Sequence, residues 1–232
     1  MINVRGDLQI HTICSDGRSS AEEIVYEALK KGLRIIAPTD HNTFKGYYLL
    51  MNYLKNKNIS LVVVPGNEVR TDLGDLIILC REPLDDNKIP REAYSLIDYA
   101  HSNNCIVYAP HPYDPLRLGV GDNIKKLKID AVEIFNASAP PWSNKRALRE
   151  AKDLGITLLA NSDAHIPDFI GVAYNIITVE EFTVENVLES IIKKMVTPVG
   201  MRPSLIAYLK DLYHSIELRF RKSSKSYAHC NF

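Results

Sequence analysis

Net charge is the first thing this sequence lacks: 28 Lys and Arg stand against 28 Asp and Glu in 232 residues. The chain therefore offers no overall field for a polyanion such as duplex DNA, and basic attraction can only be local. Cysteine is scarce and scattered. Cys14, Cys80, Cys105 and Cys230 make no CxxC pair and follow no regular spacing, which argues against a zinc ribbon or a disulfide framework and predicts reduced thiols. No apolar run is long enough to span a bilayer, and the opening MINVRGDLQIHT has no signal-peptide core, so a cytoplasmic protein with no membrane partner is expected. Repeats, low-complexity tracts and Pro/Gly/Ser linkers are also missing before residue 200. That leaves one domain, and 46% apolar residues are enough to give it a sizeable interior.

What is present is an alternation. Short runs rich in Val and Ile, at 4–10, 33–38, 60–64, 75–80, 105–109, 131–135, 156–160 and 175–179, read as strands,. Segments of helical periodicity fill the gaps at 21–31, 43–55, 91–103, 123–127, 143–154 and 184–194,. In the first, Ser20 and Glu23 fit a capping box, Ile24, Ala28 and Leu29 share a face, and Gly32 suits the stop,. Such βα units point to an α/β fold around a parallel sheet, and a chain of this length suits a β/α barrel with one core. Beyond Pro203 the pattern changes. Leu205, Leu209, Leu212, Ile216 and Phe220 make an apolar stripe, and Arg219, Arg221, Lys222 and Lys225 precede a polar tail. We therefore divide the chain into a barrel, 1–200, and a C-terminal helix with a basic tail, 201–232. The stripe is expected to pack on the barrel, with membrane-surface or nucleic-acid contact by the basic end as the alternative.

Histidines and acids fall at the ends of these strands. Asp7, Gln9 and His11 alternate along the first, and Asp16 follows in SDG,. TDHNT closes the second with Asp40 and His41, PGNEVRT places Glu68 after the third, and PHP places His111 after a later one. VEIFN supplies Glu133 and Asn136, and NSDAH supplies Asp163 and His165. The C-terminal strand ends of a β/α barrel converge on one rim, so residues distant in sequence become neighbours. Imidazoles with carboxylates suit divalent ions, and a carboxylate such as Glu68 can bridge two of them. Singly, each residue has a plainer role, Asp16 as a turn former for example; their recurrence at successive strand ends points to a polynuclear metal site.

The ordered set DLQIHT with SDG, then TDHNT, PGNEV, PHP, VEIFN and SDAH, resembles the polymerase and histidinol phosphatase superfamily, the PHP domain. The resemblance implies a distorted seven-stranded (β/α)7 TIM-like barrel, here with a C-terminal helical extension, binding up to three metal ions at its rim. By motif position Gln9, His11, Glu68 and Asp163 resemble the first metal site, and Asp16, His41 and His165 another. Glu68 and His111 serve the remaining ion, whose further ligand stays open, with Asn136 as a candidate. One position departs from the pattern. The family's first motif reads HxH, whereas this chain has Gln9, whose amide carbonyl is a weaker ligand than imidazole.

The implied activity is metal-dependent hydrolysis of a phosphomonoester or a small nucleotide-like phosphoester, using two or three Mn, Zn or Fe ions and a metal-bound hydroxide as the attacking group. Asp40 reads as an orienter of His41 or as a helix-start acceptor. Arg18 and Arg70 are candidate phosphate-binding cations, as are Lys145 and Arg146. Cys14 reads as a small thiol, and Trp142 as a loop anchor or a stacking platform. Two alternatives remain: an exonuclease or polymerase-associated proofreading nuclease acting on short single-stranded nucleic acid, and a catalytically degenerate metal-binding regulatory module, for which Gln9 is the reason.

Overall fold

The computed structural model describes residues 1–221 and Cys230. Its first strand, β1 (Ile2–Ile10), runs into α1 (Ala21–Lys30), and that helix provides the crossover needed for β2 (Leu33–Pro38) to pair with β1 in parallel,. The capping box forms in both directions between Ser20 and Glu23. Ile24, Val25 and Ala28 turn inward, while Leu29 is left exposed. β3 (Val62–Val63) follows α2 (Lys45–Leu54) and extends the sheet on the far side of β2. On the near side β9 (Tyr174–Val179) and β10 (Val196–Val199) join antiparallel, giving the order β10-β9-β1-β2-β3.

A second sheet has the order β4-β5-β6-β7-β8, from β4 (Gly66–Arg70), β5 (Asp75–Leu79), β6 (Ile106–Ala109), β7 (Ala131–Asn136) and β8 (Thr157–Asn161). β4 and β10 go beyond the strands read from the sequence, and β4–β5 and β5–β6 are antiparallel. The turn at 71–74 is too short for a crossover, so β4 and β5 can only be antiparallel neighbours. β6, β7 and β8 run parallel, as expected, with α4 (Pro141–Ala151) between the last two. The expected helix at 123–127 is a single 3-10 stretch, Gly121–Lys125. α3 (Ala93–Ser102) and α5 (Val184–Ile192) complete the layer around the strands.

The fold is thus mixed α/β with two five-stranded sheets, and the described strands form no closed seven-stranded ring. The physical reason lies at the seams. β9 faces β8 through a side chain: Asn175 accepts from Ala160 N at 2.9 Å and donates to Ala160 O at 2.8 Å and to Asn161 Oδ1 at 2.9 Å. Isolated bridges tie Ile10 to Ala164 and His41 to Glu68. The inner faces enclose one core, in which Leu8, Ile35, Ile77, Tyr108, Leu159 and Ile177 meet, and Tyr108 donates to Leu8 O at 2.8 Å. α1 and α2 cover the first sheet, and α3 and α4 the second.

Two expectations need correction. The cysteines are paired, Cys80 with Cys105 and Cys14 with Cys230. Cys80 follows β5 and Cys105 precedes β6, so antiparallel register sets their Cα atoms 4.1 Å apart, a proximity that sequence spacing does not encode,. The last helix, α6 (Leu205–Arg221), does not bury its leucine stripe: Leu205, Leu209, Leu212 and Ile216 are exposed, and Ala207, Asp211 and His214 face inward instead. The side chains of Arg219, Phe220 and Arg221, and the whole of Lys222 and Lys225, lie outside the described residues. No described helix is long and apolar enough to cross a membrane.

Asn175→Ala removes the partners of a buried backbone N–H and C=O together, so it is expected to cost about 3 kcal/mol in urea denaturation. Thr178→Ala, which loses only an exposed hydrogen bond to Asn3, should stay within about 0.5 kcal/mol. Equal effects would show that Asn175 does not hold the seam.

Candidate metal centre

His11 directly follows β1, and its backbone N–H donates to Ala164 O at 2.9 Å, which pins the end of β1 to the loop after β8. The chain then doubles back so tightly that a Cβ on Gly17 would strike the His11 carbonyl, and this is why SDG carries a glycine,. The turn is held from β2. Asp40 accepts from Thr12 N at 2.9 Å, from Thr12 Oγ1 at 2.8 Å and from Ser15 Oγ at 2.5 Å. Its carboxylate therefore organises the loop between His11 and Asp16, while Asp86 accepts from Phe44 N at the start of α2.

The histidines converge on Glu68. His11 Nε2 lies 3.0 Å from Glu68 Oε2 and 3.2 Å from Asp163 Oδ1, and His41 Nδ1 lies 3.5 Å from Glu68 Oε2. On the other side His111 Nε2 is 3.0 Å from Glu68 Oε1. Asp16 sits 3.4 Å from His41 Nε2 and 3.5 Å from both His11 Nδ1 and His165 Nε2. Two groups of donors result, each with its donor atoms within 4.8 Å of one another: His11, Asp16, His41 and His165 in one, and Glu68, Asp75 and His111 in the other. Glu68 touches both. His111 and Asp163 hold these positions at φ 29° and 52°, where a side chain costs on the order of 1 kcal/mol in backbone strain.

Asp75 stands in one donor group with Glu68 and His111, a place for which the sequence motifs offer Asn136. The aspartate is buried in β5 opposite Arg70, whose Nε lies 3.2 Å away. Asn136 is used otherwise: its amide donates to Glu133 at 2.9 Å and to Gln9 Oε1 at 3.4 Å, and its carbonyl accepts from Ser138 N and Ala139 N. Gln9 is buried and does not line the cavity, and its amide nitrogen has no hydrogen-bond partner among the described residues. Glu133 accepts from His111 N at 2.7 Å and from Asn161 at 2.8 Å, and burial pushes its carboxyl up to about 8. Asp7 is likewise fully buried and bound to Ser162 and Gly171.

The cluster forms the floor of a cavity of about 490 Å³. Arg70 lines it, and so does Arg117, a cation that sequence reading missed: its Nε lies 3.1 Å from Asp163 Oδ2, and its Nη1 lies 3.1 Å from Asp114. Arg18 instead lies outside, 3.8 Å from Glu217 of α6. Trp142 is exposed, and Arg146 pairs with Asp122 on the surface. A signal for Asp75 exists in the sequence, since it is the one charge opening the apolar run DLIIL. Arg117 has only Asp114 close to it in sequence, and its approach to Asp163 depends on the loop after β8.

The donor set fits divalent cations. His11 Nδ1 and Nε2, His41 Nδ1 and Glu68 Oε2 are buried and mutually close, yet none is aligned for a hydrogen bond among the described residues. Buried polar atoms so arranged need a counterpart, and a cation held among them supplies it. Without one, protons do the work. Burial pushes the His11 and His111 pKa values down, but the close carboxylates of Asp163 and Glu68 outweigh it, raising His11 well above its ordinary value and His111 to about 9. Burial likewise disfavours the charged form of Glu68, but the charge of His41, the close approach of His11 and the hydrogen bond of His111 hold it well below the usual carboxylate range.

A mixed α/β protein that gathers histidines and carboxylates from successive strand ends into adjoining cation-type groups is, as a class, a metal-binding rim protein. The family model described as PHP-associated matches residues 141–196, from α4 to the start of β10. An uncharacterised protein of Methanocaldococcus jannaschii, MJ1587, is 32% identical over 146 residues, 58% of this chain and 82% of that one. Among solved structures, a two-domain Bacteroides vulgatus protein named for a predicted PHP-like metal-dependent phosphoesterase superposes with a TM-score of 0.71 at 16% identity, covering 86% of this chain and 65% of its own. The lesion-specific endonuclease PfuEndoQ of Pyrococcus furiosus gives 0.66 at 20%, covering 88% and 60%. At such identities these two likenesses are of fold, and this chain spans less than two thirds of either protein. The PHP-associated match and the PHP-like fold of these neighbours support the resemblance to the PHP superfamily that the sequence motifs carry.

Because Glu68 beside it pushes the His111 pKa up to about 9, above the ordinary 6.5, protons compete with cations for its nitrogen at neutral pH. Mn²⁺ binding is therefore expected to acidify a weakly buffered solution at pH 7, and its affinity to rise with pH through about 9. A pH-independent affinity between 6 and 9 would contradict the assigned protonation.

Proposed function

We propose that this protein is a metal-dependent phosphoesterase acting on a phosphomonoester or a small nucleotide-like phosphoester. The observation that carries this reading is Glu68, one buried carboxylate whose two oxygens face separate histidines in adjoining donor groups on the cavity floor. His11, Asp16, His41, Asp163 and His165 would hold cations on one side of it, and Asp75 and His111 on the other. Bound divalent cations supply an activated water and offset the charge that gathers on phosphoryl oxygens.

The chain's own residues do the rest. His165 Nδ1 is fixed on Asp163 O at 2.9 Å, which leaves Nε2 facing the cavity,. Asp40 holds the loop that presents Asp16. Arg70 and Arg117 provide cationic walls for the non-reacting phosphoryl oxygens,. Arg18, outside this cavity, acts on α6 instead. The reading takes the two sheets as halves of a distorted β/α barrel, meeting at the Asn175 seam and the His41–Glu68 bridge. A cavity of about 490 Å³ falls in the range of small-molecule sites, roughly 300–1,000 Å³, which favours a small phosphoester over a polynucleotide.

The test is purification without chelator, metal analysis, and turnover on phosphomonoesters, nucleoside bisphosphates, cyclic phosphodiesters and short single-stranded oligonucleotides with added Mn²⁺. We expect two or three ions of Mn, Zn or Fe per chain and hydrolysis of a small ester. His41→Ala and Asp163→Asn should lower metal content and turnover together, the latter by about 100-fold or more. Metal binding without turnover would favour a regulatory module, and cleavage confined to oligonucleotides would favour a nuclease.

A further inference from the structure

The six motifs end at His165 and the matched family segment at residue 196, yet the cavity has one more wall. Tyr208, Asp211 and Leu212 of α6 line it together with His11, Asp16 and His165. Asp211 is only 8% exposed, and its Oδ1 has no hydrogen-bond partner among the described residues. It lies in the fields of His165, Arg117 and Asp163. A buried carboxylate oxygen left without a donor is uncommon and calls for a counterpart; here the space in front of it is the metal cavity.

The way α6 is seated points in the same direction. Its inner stripe is Ala207, Asp211 and His214, at i, i+4 and i+7 spacing, while Leu205, Ile206, Leu209, Leu212, Tyr213 and Ile216 stay exposed. Apolar burial therefore contributes little to its seating. Its ties run to the loops that carry ligands. His214 Nε2 meets Asp16 O at 2.8 Å, Lys210 Nζ meets Asp168 at 2.8 Å, Arg18 faces Glu217 at 3.8 Å, and Cys230 is joined to Cys14. Whatever orders the 11–18 and 163–168 loops also orders the surface on which α6 rests.

We propose that Asp211 is a further cation-facing residue of this centre, delivered by α6, so that bound cations and the docked helix hold each other in place. The inference rests on the metal reading above. Without cations Asp211 adds negative charge beside Asp163; with them the same carboxylate faces positive ions that offset that repulsion. By linkage, any factor by which docking of α6 tightens cation binding is the factor by which cations tighten docking.

Hydrogen exchange over residues 205–217, followed by mass spectrometry with and without Mn²⁺, tests this in the full chain and in Cys230→Ser, where no covalent tether holds the carboxyl-terminal end. Mn²⁺ binding is measured separately by calorimetry. We expect Mn²⁺ to slow exchange in α6 by about 10-fold in both proteins, within the usual range of coupling between sites. Asp211→Asn should still bind Mn²⁺, more weakly, with its protection ratio falling below about 2-fold, and Asp211→Glu should restore most of it. A helix of unimpaired stability in chelator, paired with lost Mn²⁺ response, separates this role from a merely structural one. Mn²⁺ bound with unchanged exchange in wild-type α6, or full coupling in Asp211→Asn, would overturn the proposal alone. Absence of Mn²⁺ binding to the wild type would overturn the metal reading and this inference with it.

Discussion

A carboxylate buried among three imidazoles sets the terms for the rest of this molecule. Glu68 has given up water entirely, and a charge in that position is tolerated only where opposite charge and hydrogen bonds surround it. His11 comes from the end of β1, His41 from the loop after β2, and His111 from the segment after β6 in the middle of the second sheet. The two sheets must therefore meet at this point, and the His41–Glu68 bridge is where they do. Burial that would be unfavourable for any one group becomes acceptable because protons or cations neutralise the set together.

Around that centre the polar groups are not interchangeable. Asp40, Glu133 and Asp7 are each fully buried carboxyls, yet each spends its oxygens on backbone and side-chain donors of loops that carry ligands. Gln9 belongs with them. Its carbonyl accepts from Asn136, which in turn binds Glu133 and the chain after β7. At the position where the family's pattern has the first histidine of HxH, Gln9 thus shares a hydrogen-bond network with Asn136 and Glu133, while Asp75 and Asp211 add buried carboxylates beside the histidines.

Amphipathic patterning served well where a helix covers a sheet and failed where it does not. α1 was legible down to its reciprocal cap, because capping is local chemistry between Ser20 and Glu23. In α6 the same logic picked the leucine stripe, whereas the inward face is Ala207, Asp211 and His214. That helix rests on a polar rim, so the residues that face the protein are the ones that suit the rim. The cysteines tell a similar story: their spacing looked random along the chain, but antiparallel register placed Cys80 beside Cys105.

The sequence by itself determined the strands and helices apart from β4, β10 and the 3-10 stretch at Gly121–Lys125, the residue types at strand ends and the motifs that resemble the PHP superfamily, since each is written in a few consecutive positions. The mixed direction of the strands, the opening into two sheets, and the recruitment of Asp75, Arg117 and Asp211 to the cavity were decided by tertiary structure. Those depend on which strand edges meet and which loop ends face one another across the rim, and such distances are set by packing of the whole core rather than by neighbours in the chain.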